Sequence, residues 1–382
     1  MHIAIITPDY PFKNSYSYSF VKQLTEAMAD LGHRISVIVP KSSSRFYMKC
    51  KRPWPSRLIE TTKNGSSIHV YRLRVFGLGK LKIGNINLTE YLKEKAINKT
   101  LFKIHKEHSI DVLYGHFWRS ANSARLFANK HHLPLFLANG ESSLPLCNYG
   151  NDFFKALKGV ICVSSKCREE SVESGYLREG TPCTIIPNAV DSHLFYKMNK
   201  HQMRKEFAFN QEDFIVAFAG HFIERKGANR VSSAIQHIND RTIRSIFLGS
   251  YVGEDKSFGP SCDGILYQGG CAHKDVAKYL ACADVFCLPT LNEGCCNAIV
   301  EAMACGLPII SSNLSFNWDI LDSNNSILVN PMNVKEIANA ILMLKNDVNL
   351  RNSMSQSSLE KSRDLKIENR AKKIISFIDN NK

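Results

Sequence analysis

Residues 292–310 read NEGCCNAIVEAMACGLPII. The apolar run VFCL at 285–288, just before them, predicts a strand, and Glu293 and Gly294 fall in the short loop after it. A helix is expected from about Asn297. Ala298, Ile299, Ala302 and Met303 recur with helical spacing, and Gly306 followed by Pro308 is a stop signal. The run at 308–311 then reads as the next strand. Strand, loop, helix and strand in this order form the repeating unit of a parallel sheet with helices on its faces.

The same alternation extends in both directions. Residues 214–219 and 245–248 read as strands around a helix whose stripe is Val231, Ala234, Ile235 and Ile238. At the start of the chain, 2–6 and 35–39 read as strands around a helix carrying Phe20, Leu24, Ala27, Met28 and Leu31, which Gly32 ends. Strands are expected again at 111–114, 135–138 and 159–164. One more amphipathic helix is expected at Ile367, Ala371, Ile374, Ile375 and Ile378. The two runs meet near the polar segment 191–213. A chain of 382 residues is long enough for two domains, each with its own core. In sheets wound this way ligands bind outside the carboxyl ends of the strands, so a cleft between the domains is the expected site.

Composition excludes several classes. The chain is 44% hydrophobic and 22% charged, which is globular rather than disordered. No apolar run approaches the roughly 18 residues of a membrane helix, and the N-terminus lacks the basic start of a signal peptide. The 12 cysteines are irregularly spaced with no CxxC pair, and read as reduced thiols of a cytosolic protein. The net charge of +14 lies wholly in residues 1–200. Within them, 41–82 holds 11 basic residues and one acid, Glu60, interleaved with Phe46, Tyr47, Trp54, Tyr71 and Phe76. Such a stretch suits an anionic membrane surface or a nucleic acid, or is simply a solvated basic face.

The loops after the strands carry the chemistry. Glu293 lies at the entrance of the helix near Asn297, Glu301 lies on its first turns, and the free N–H groups of its start suit an anion such as a phosphate. Carboxylates there would accept hydrogen bonds from sugar hydroxyls. Arg225, Lys226 and Gly227 follow the strand at 214–219 and precede a helix, so two cations and a second helix start converge. Fixed cations of this kind stabilise a departing diphosphate. His116 follows the strand at 111–114, and Asn139, Gly140 and Glu141 end the next one. No Asp-x-Asp pair, GxxxxGK[ST] loop or GxSxG elbow is present.

The 292–310 segment resembles the Glu-x7-Glu motif of retaining, nucleotide-sugar-dependent glycosyltransferases of family 4, which have the GT-B fold. Other segments resemble the same family in the same order. These are Asp9-Tyr10-Pro11 with Leu31-Gly32-His33, Pro187-Asn188-Ala189-Val190-Asp191 with Phe195, Gly220 to Gly227 (GHFIERKG), and the stretch from Gly269 to Thr290. The resemblance covers the C-terminal half almost throughout and the N-terminal half only at its edges. It implies an α/β chain with two Rossmann-like doubly wound domains facing a central cleft. Residues 1–190 would bind the acceptor and 191–382 the nucleotide sugar, with the last helix, about 360–382, crossing back to the first domain.

By the same resemblance Lys226 binds the diphosphate, Glu301 holds the ribose, Glu293 positions the donor sugar, and His116 lies near the transferred sugar. Gly294, Cys295, Cys296 and Asn297 would contact the donor through the turn, chiefly by backbone amides. Arg225 is either a second phosphate contact or a solvated neighbour. His221 stands where the family usually has arginine. Ser15 and Ser17 replace the glycines usual in the first loop, and either offer hydroxyls or are polar filler. With Asn139 and Glu141 they are the acceptor-side candidates. Retention without a clear protein nucleophile implies front-face attack. No cofactor and no metal is expected, the nucleotide sugar being a substrate. The partners implied are a UDP- or GDP-sugar donor, a lipid-linked or glycan acceptor in surface polysaccharide biosynthesis, and an anionic membrane surface, with no nucleic acid. The implied location is cytoplasmic, on the inner face of the cell membrane. A sugar-nucleotide epimerase of the same fold, or a non-catalytic binding relative, is the alternative.

Overall fold

The first strand, β1 (His2–Ile6), is buried at every position, as a strand covered on both faces must be. In the computed structural model, which describes residues 1–13, 18–42, 54–79, 81–84, 86–145 and 149–382, it lies at the centre of an eight-stranded sheet. The chain continues through α1 (Ser19–Asp30), β2 (Arg34–Ser42), β3 (Arg57–Thr61), β4 (Ser67–Val75), β5 (Lys82–Ile83), β6 (Ile86–Asn87) and α2 (Leu88–Glu107). It goes on through β7 (Val112–His116), α3 (Trp118–Ser123), α4 (Arg125–His131), β8 (Leu135–Asn139), α5 (Asn151–Ala156), β9 (Leu157–Cys162), α6 (Ser165–Glu173) and β10 (Cys183–Ile185). Strand order is β10-β9-β8-β7-β1-β2-β4-β3, parallel throughout except that β3 runs antiparallel to β4. The short β5–β6 hairpin stands apart from this sheet.

A second run comprises α7 (Lys200–Glu206), β11 (Phe214–Ala219), α8 (Ala228–Ile238), β12 (Ile243–Leu248), β13 (Ile265–Gly269), α9 (His273–Ala281) and β14 (Val285–Leu288). It ends with α10 (Asn297–Ala304), β15 (Ile309–Ser312), β16 (Ser326–Val329), α11 (Val334–Asn346) and α12 (Val348–Asp364). Its six parallel strands are ordered β13-β12-β11-β14-β15-β16. The order reverses at β11/β14, and the loops after those two strands, 220–227 and 289–296, flank that switch point.

The last helix, α13 (Ile367–Asn381), is counted by its contacts with the first run. One unit comprises Met1–Val163, Cys167–Ile186 and Ile367–Lys382; the other comprises Ser164–Lys166 and Pro187–Lys366. In α13 the isoleucines 367, 374, 375 and 378 are buried with Ala371, and the Phe377 ring meets Phe136 edge-on at 6.0 Å. Arg370 donates to the Ile186 carbonyl.

The expected elements recur with shifted ends. The strand anticipated at 111–114 is β7, and it extends to His116, so that histidine is the strand's last residue and not part of a loop. Leu31 was expected in the buried stripe of α1. It lies past the last turn, 36% exposed, because the chain leaves the helix at Asp30 and turns through Gly32. Within 41–82, β3 and β4 absorb part of the basic stretch, while 43–53 lie outside the described residues. Deleting buried methylenes from a packed helix leaves a cavity, so Ile374→Ala should lower the unfolding free energy of the first unit by about 2–5 kcal/mol. Urea denaturation followed by circular dichroism measures this; an unchanged midpoint would mean that α13 adds nothing to that core.

Candidate active site

Two loops at the β11/β14 switch point are joined by charge. Glu293 Oε1 accepts from Arg225 Nη1 at 2.5 Å, lies 2.5 Å from Lys226 Nζ, and accepts from Thr290 Oγ1 at 3.1 Å. All three bonds use the same oxygen. Arg225 also donates to the Asn292 carbonyl at 2.5 Å, and the Arg225 carbonyl accepts the Leu291 N–H at 2.8 Å. Arg225 is thus tied to the neighbouring loop while its side chain stays 36% exposed, an arrangement that neither reading of the sequence described.

The local sequence dictates this arrangement. Gly227 has φ +80°, in the left-handed region, and a side chain there would meet the Arg230 guanidinium at 2.5 Å. Arg230 runs beneath the turn, donating to the Glu224 and Pro289 carbonyls at 2.8 Å each and so holding one loop to the other. Sequence reasoning missed Arg230 because it sits on the helix after the motif. Its spacing three residues past Gly227 was the available signal. A side chain at Gly220 would come within 3.5 Å of the Lys226 stem.

Lys226 is nearly buried. Burial works against its charge, but the Glu293 carboxylate beside it offsets this, and its pKa is raised. Burial also pushes the Cys296 thiol up, so that sulfur stays protonated and the carboxylate supplies the compensation. Cys295 and Cys296 are buried at the turn, with Gly294 before them and the α10 start after them. The Asn292 and Asn297 side-chain oxygens are buried with no hydrogen-bond partner. His221 is exposed, its ring nitrogen 3.4 Å from Ser250 Oγ.

Glu301 has a partner that the sequence did not disclose. His273 Nε2 lies 3.3 Å from its Oε1, and this contact raises the His273 pKa, with Asp191 adding to it against burial. Phe195 packs edge-on against the same ring at 5.2 Å. The motif residues Asp191 and Phe195 thus support the histidine that faces Glu301, and Asn188 donates to the Cys295 carbonyl at 2.8 Å. A lone histidine at a helix start carries no sequence signal of its own.

In the first unit, His116 is 4% exposed among the rings of Phe20, Phe117 and Tyr114. Burial pushes its pKa down to about 3, and its Nδ1 has no partner. Phe117 beside it has φ +74°, a strained value for a bulky residue. Asn139 is fully buried and its amide donates to Ser171 Oγ at 3.0 Å and the Cys167 carbonyl at 3.3 Å, so it faces α6. Glu141 remains half-buried, one oxygen without a partner, its pKa pushed up by burial to about 6 against a hydrogen bond from the Trp118 N–H. Ser15 and Ser17 lie outside the described residues.

Comparison with known proteins gives the family and the fold. The family model Glycosyltransferase Family 4 matches residues 19–194, and Glycosyl transferases group 1 matches 199–361. TuaC of Bacillus subtilis, a glycosyltransferase provisionally assigned to teichuronic acid biosynthesis, is 24% identical over 65% of this chain; the chain spans 65% of that relative's length. The UDP-Gal:α-D-GlcNAc-diphosphoundecaprenol α-1,3-galactosyltransferase of Escherichia coli is 24% identical over 72% of this chain and 76% of its own. Among solved structures, Anabaena HepE in complex with UDP superposes with a TM-score of 0.74 at 15% identity, covering 100% of both chains. Both units therefore have the GT-B pattern of Rossmann-like parallel sheets.

His116 has a measurable consequence. Below its ordinary value of 6.5 the unfolded chain takes up a proton that the folded one refuses until about pH 3, so stability falls as pH drops through that window. A His116→Gln variant should lose up to about 1.4 kcal/mol per pH unit of that slope. Denaturant melts from pH 7.5 to 5.5 compare the two (the window is set by the histidine range). Parallel slopes would show that His116 titrates in the fold as it does in the unfolded chain.

Proposed function

The chain belongs to the glycosyltransferases of family 4 and group 1, and from that premise we propose that it moves a sugar from a UDP- or GDP-sugar to a lipid-linked glycan, with retention, in surface polysaccharide synthesis. The observation carrying this reading is the convergence of Arg225, Lys226, Glu293, Glu301 and the α10 start at the switch point. UDP bound to HepE makes UDP the first nucleotide to test. The lipid diphosphate acceptor named for the E. coli relative motivates the acceptor class.

In the proposed reaction the bond from the anomeric carbon to the β-phosphate oxygen breaks, and an acceptor hydroxyl oxygen bonds to that carbon from the same face. The hydroxyl proton passes to the departing phosphate. Lys226 and Arg225 meet the charge that develops on the diphosphate, with the first N–H groups of α10 beside them. This is the basis for proposing metal-independent transfer. Glu301, oriented by His273, accepts from the ribose hydroxyls. Glu293 holds both cations through Oε1 and offers Oε2 to the donor sugar. Held by two cations, it would be a weak nucleophile, which favours front-face attack. Neutral His116 is suited to hydrogen bonding at the transferred sugar rather than to carrying charge.

Lys226→Ala and Glu301→Ala should each weaken nucleotide binding about ten- to a hundredfold, the worth of a charge-assisted hydrogen bond. His273→Ala should weaken it less, and His273→Gln should recover part of the loss by restoring a donor to Glu301. Titration calorimetry measures all four variants; undiminished affinity in Lys226→Ala or Glu301→Ala would remove that residue from the site.

A thermal-shift panel of UDP, GDP, ADP and their sugar conjugates tests the function itself. A ligand in excess over its dissociation constant raises the melting temperature by mass action. One nucleotide family should do so equally with and without EDTA. A shift abolished by EDTA would overturn metal independence, and no shift with any nucleotide would favour a non-catalytic relative.

A further inference from the structure

One face of α2 combines exposed cations with exposed aromatic rings. At 3.6 residues per turn, Tyr91, Lys95, Lys99, Phe102, Lys103 and Lys106 share an arc about 120° wide. All six are exposed. The opposite face carries the buried Ile97, Leu101 and Ile104, so the arc points away from the core. No acid falls within it. Glu90 pairs with Lys93, Glu94 with Arg125 and Glu107 with Arg57, all off the arc. Lys95 sits over the Tyr91 ring at 4.6 Å, and among the described residues none of the four lysines is paired with a carboxylate.

The chain enters α2 through the β5–β6 hairpin, which belongs to neither large sheet. Leu81 is 53% and Ile83 66% exposed, with Lys82 exposed between them. The Leu81 carbonyl accepts the Leu88 N–H at 3.1 Å, fastening the hairpin to the first turn of the helix. Elsewhere in the basic stretch the cations are partly engaged: Arg72 is 2% exposed against Tyr10 and Phe12, and Lys41 pairs with Asp9.

We propose that the α2 arc and the β5–β6 hairpin dock this protein on an anionic lipid surface. Each residue type matches one layer of such an interface. The ammonium groups reach lipid phosphates, the aromatic rings suit the headgroup level, and the aliphatic Leu81 and Ile83 suit the acyl boundary. A nucleic acid would pair with the lysines and stack on the two rings but has no use for exposed leucine and isoleucine. The proposal rests on the reading of a lipid-linked acceptor, which such a surface would bring within the enzyme's reach.

The experiment is co-sedimentation of the full chain with vesicles of phosphatidylcholine plus phosphatidylglycerol, against phosphatidylcholine alone, over rising salt. The protein should bind only the anionic vesicles and lose them as salt screens the charges. Each surface lysine is worth about fivefold in partitioning, so K95Q/K99Q/K103Q/K106Q should bind more than a hundredfold more weakly. A control with three exposed lysines neutralised elsewhere in the unit, K130Q/K155Q/K158Q, should keep most of its binding. I83W should report insertion by a blue-shifted emission on anionic vesicles alone. Equal losses in the two lysine variants would reduce the effect to net charge and overturn the surface. So would full binding by the α2 variant, or tighter retention of an oligonucleotide than of vesicles. Nucleotide thermal shifts on the α2 variant separate the two readings: a retained shift with no vesicle binding by the wild type defeats only the docking surface, and no shift in either protein defeats the proposed function.

Discussion

Two cations from one loop share a single carboxylate oxygen from another, and the geometry of the second unit is organised around that cluster. Arg225 and Lys226 against Glu293 leave one unit of positive charge in excess at the carboxyl edge of β11 and β14. The Lys226 side chain is only 13% exposed, so its share of that charge is less screened by water than that of Arg225, which is 36% exposed. The remaining features serve to hold this cluster in position. Arg230 ties the two loops beneath it, and Gly227 leaves room for that arginine. A loose pair of loops would let Glu293 neutralise the lysine in any of several geometries. A tied pair presents one geometry to a ligand.

How much of this was legible depended on whether a residue's role was written in its immediate neighbours. The helix at Asn297 was, because an apolar face, a glycine and a proline mark both of its ends locally. The strands at 214–219 and 285–288 were, because buried parallel strands are continuous apolar runs. β13 and β16 are edge strands with only three consecutive apolar residues each, Ile265–Tyr267 and Ile327–Val329, a run too short to tell from a partly covered loop. β3 and β4 were hidden by their charge: arginines that read as surface include Arg72, which is buried.

The site shows the same division. Glu293, Lys226 and Glu301 were found from spacing within one loop–helix segment or the next. His273 and Arg230 were not, because each acts through a residue distant in sequence, and only the folded chain brings Glu301 within 3.3 Å of an imidazole. Asn139 illustrates the opposite limit. Its place at the end of β8 suggested a ligand contact, but its side chain turns inward to α6, and the next polar side chain along, Glu141, keeps an oxygen without a partner.

The return of α13 to the first unit has a consequence for the order of assembly. Between Ile186 and Ile367 the ribosome makes all of the second unit except Ser164–Lys166, which has already emerged, and nothing that follows belongs to it. The first unit, begun earlier, waits with the groove for α13 open and its apolar floor wet until the closing helix emerges. Contacts of such long sequence separation form late and slowly. The unit made first is therefore the one finished last, and during synthesis it is the half that most needs protection from aggregation.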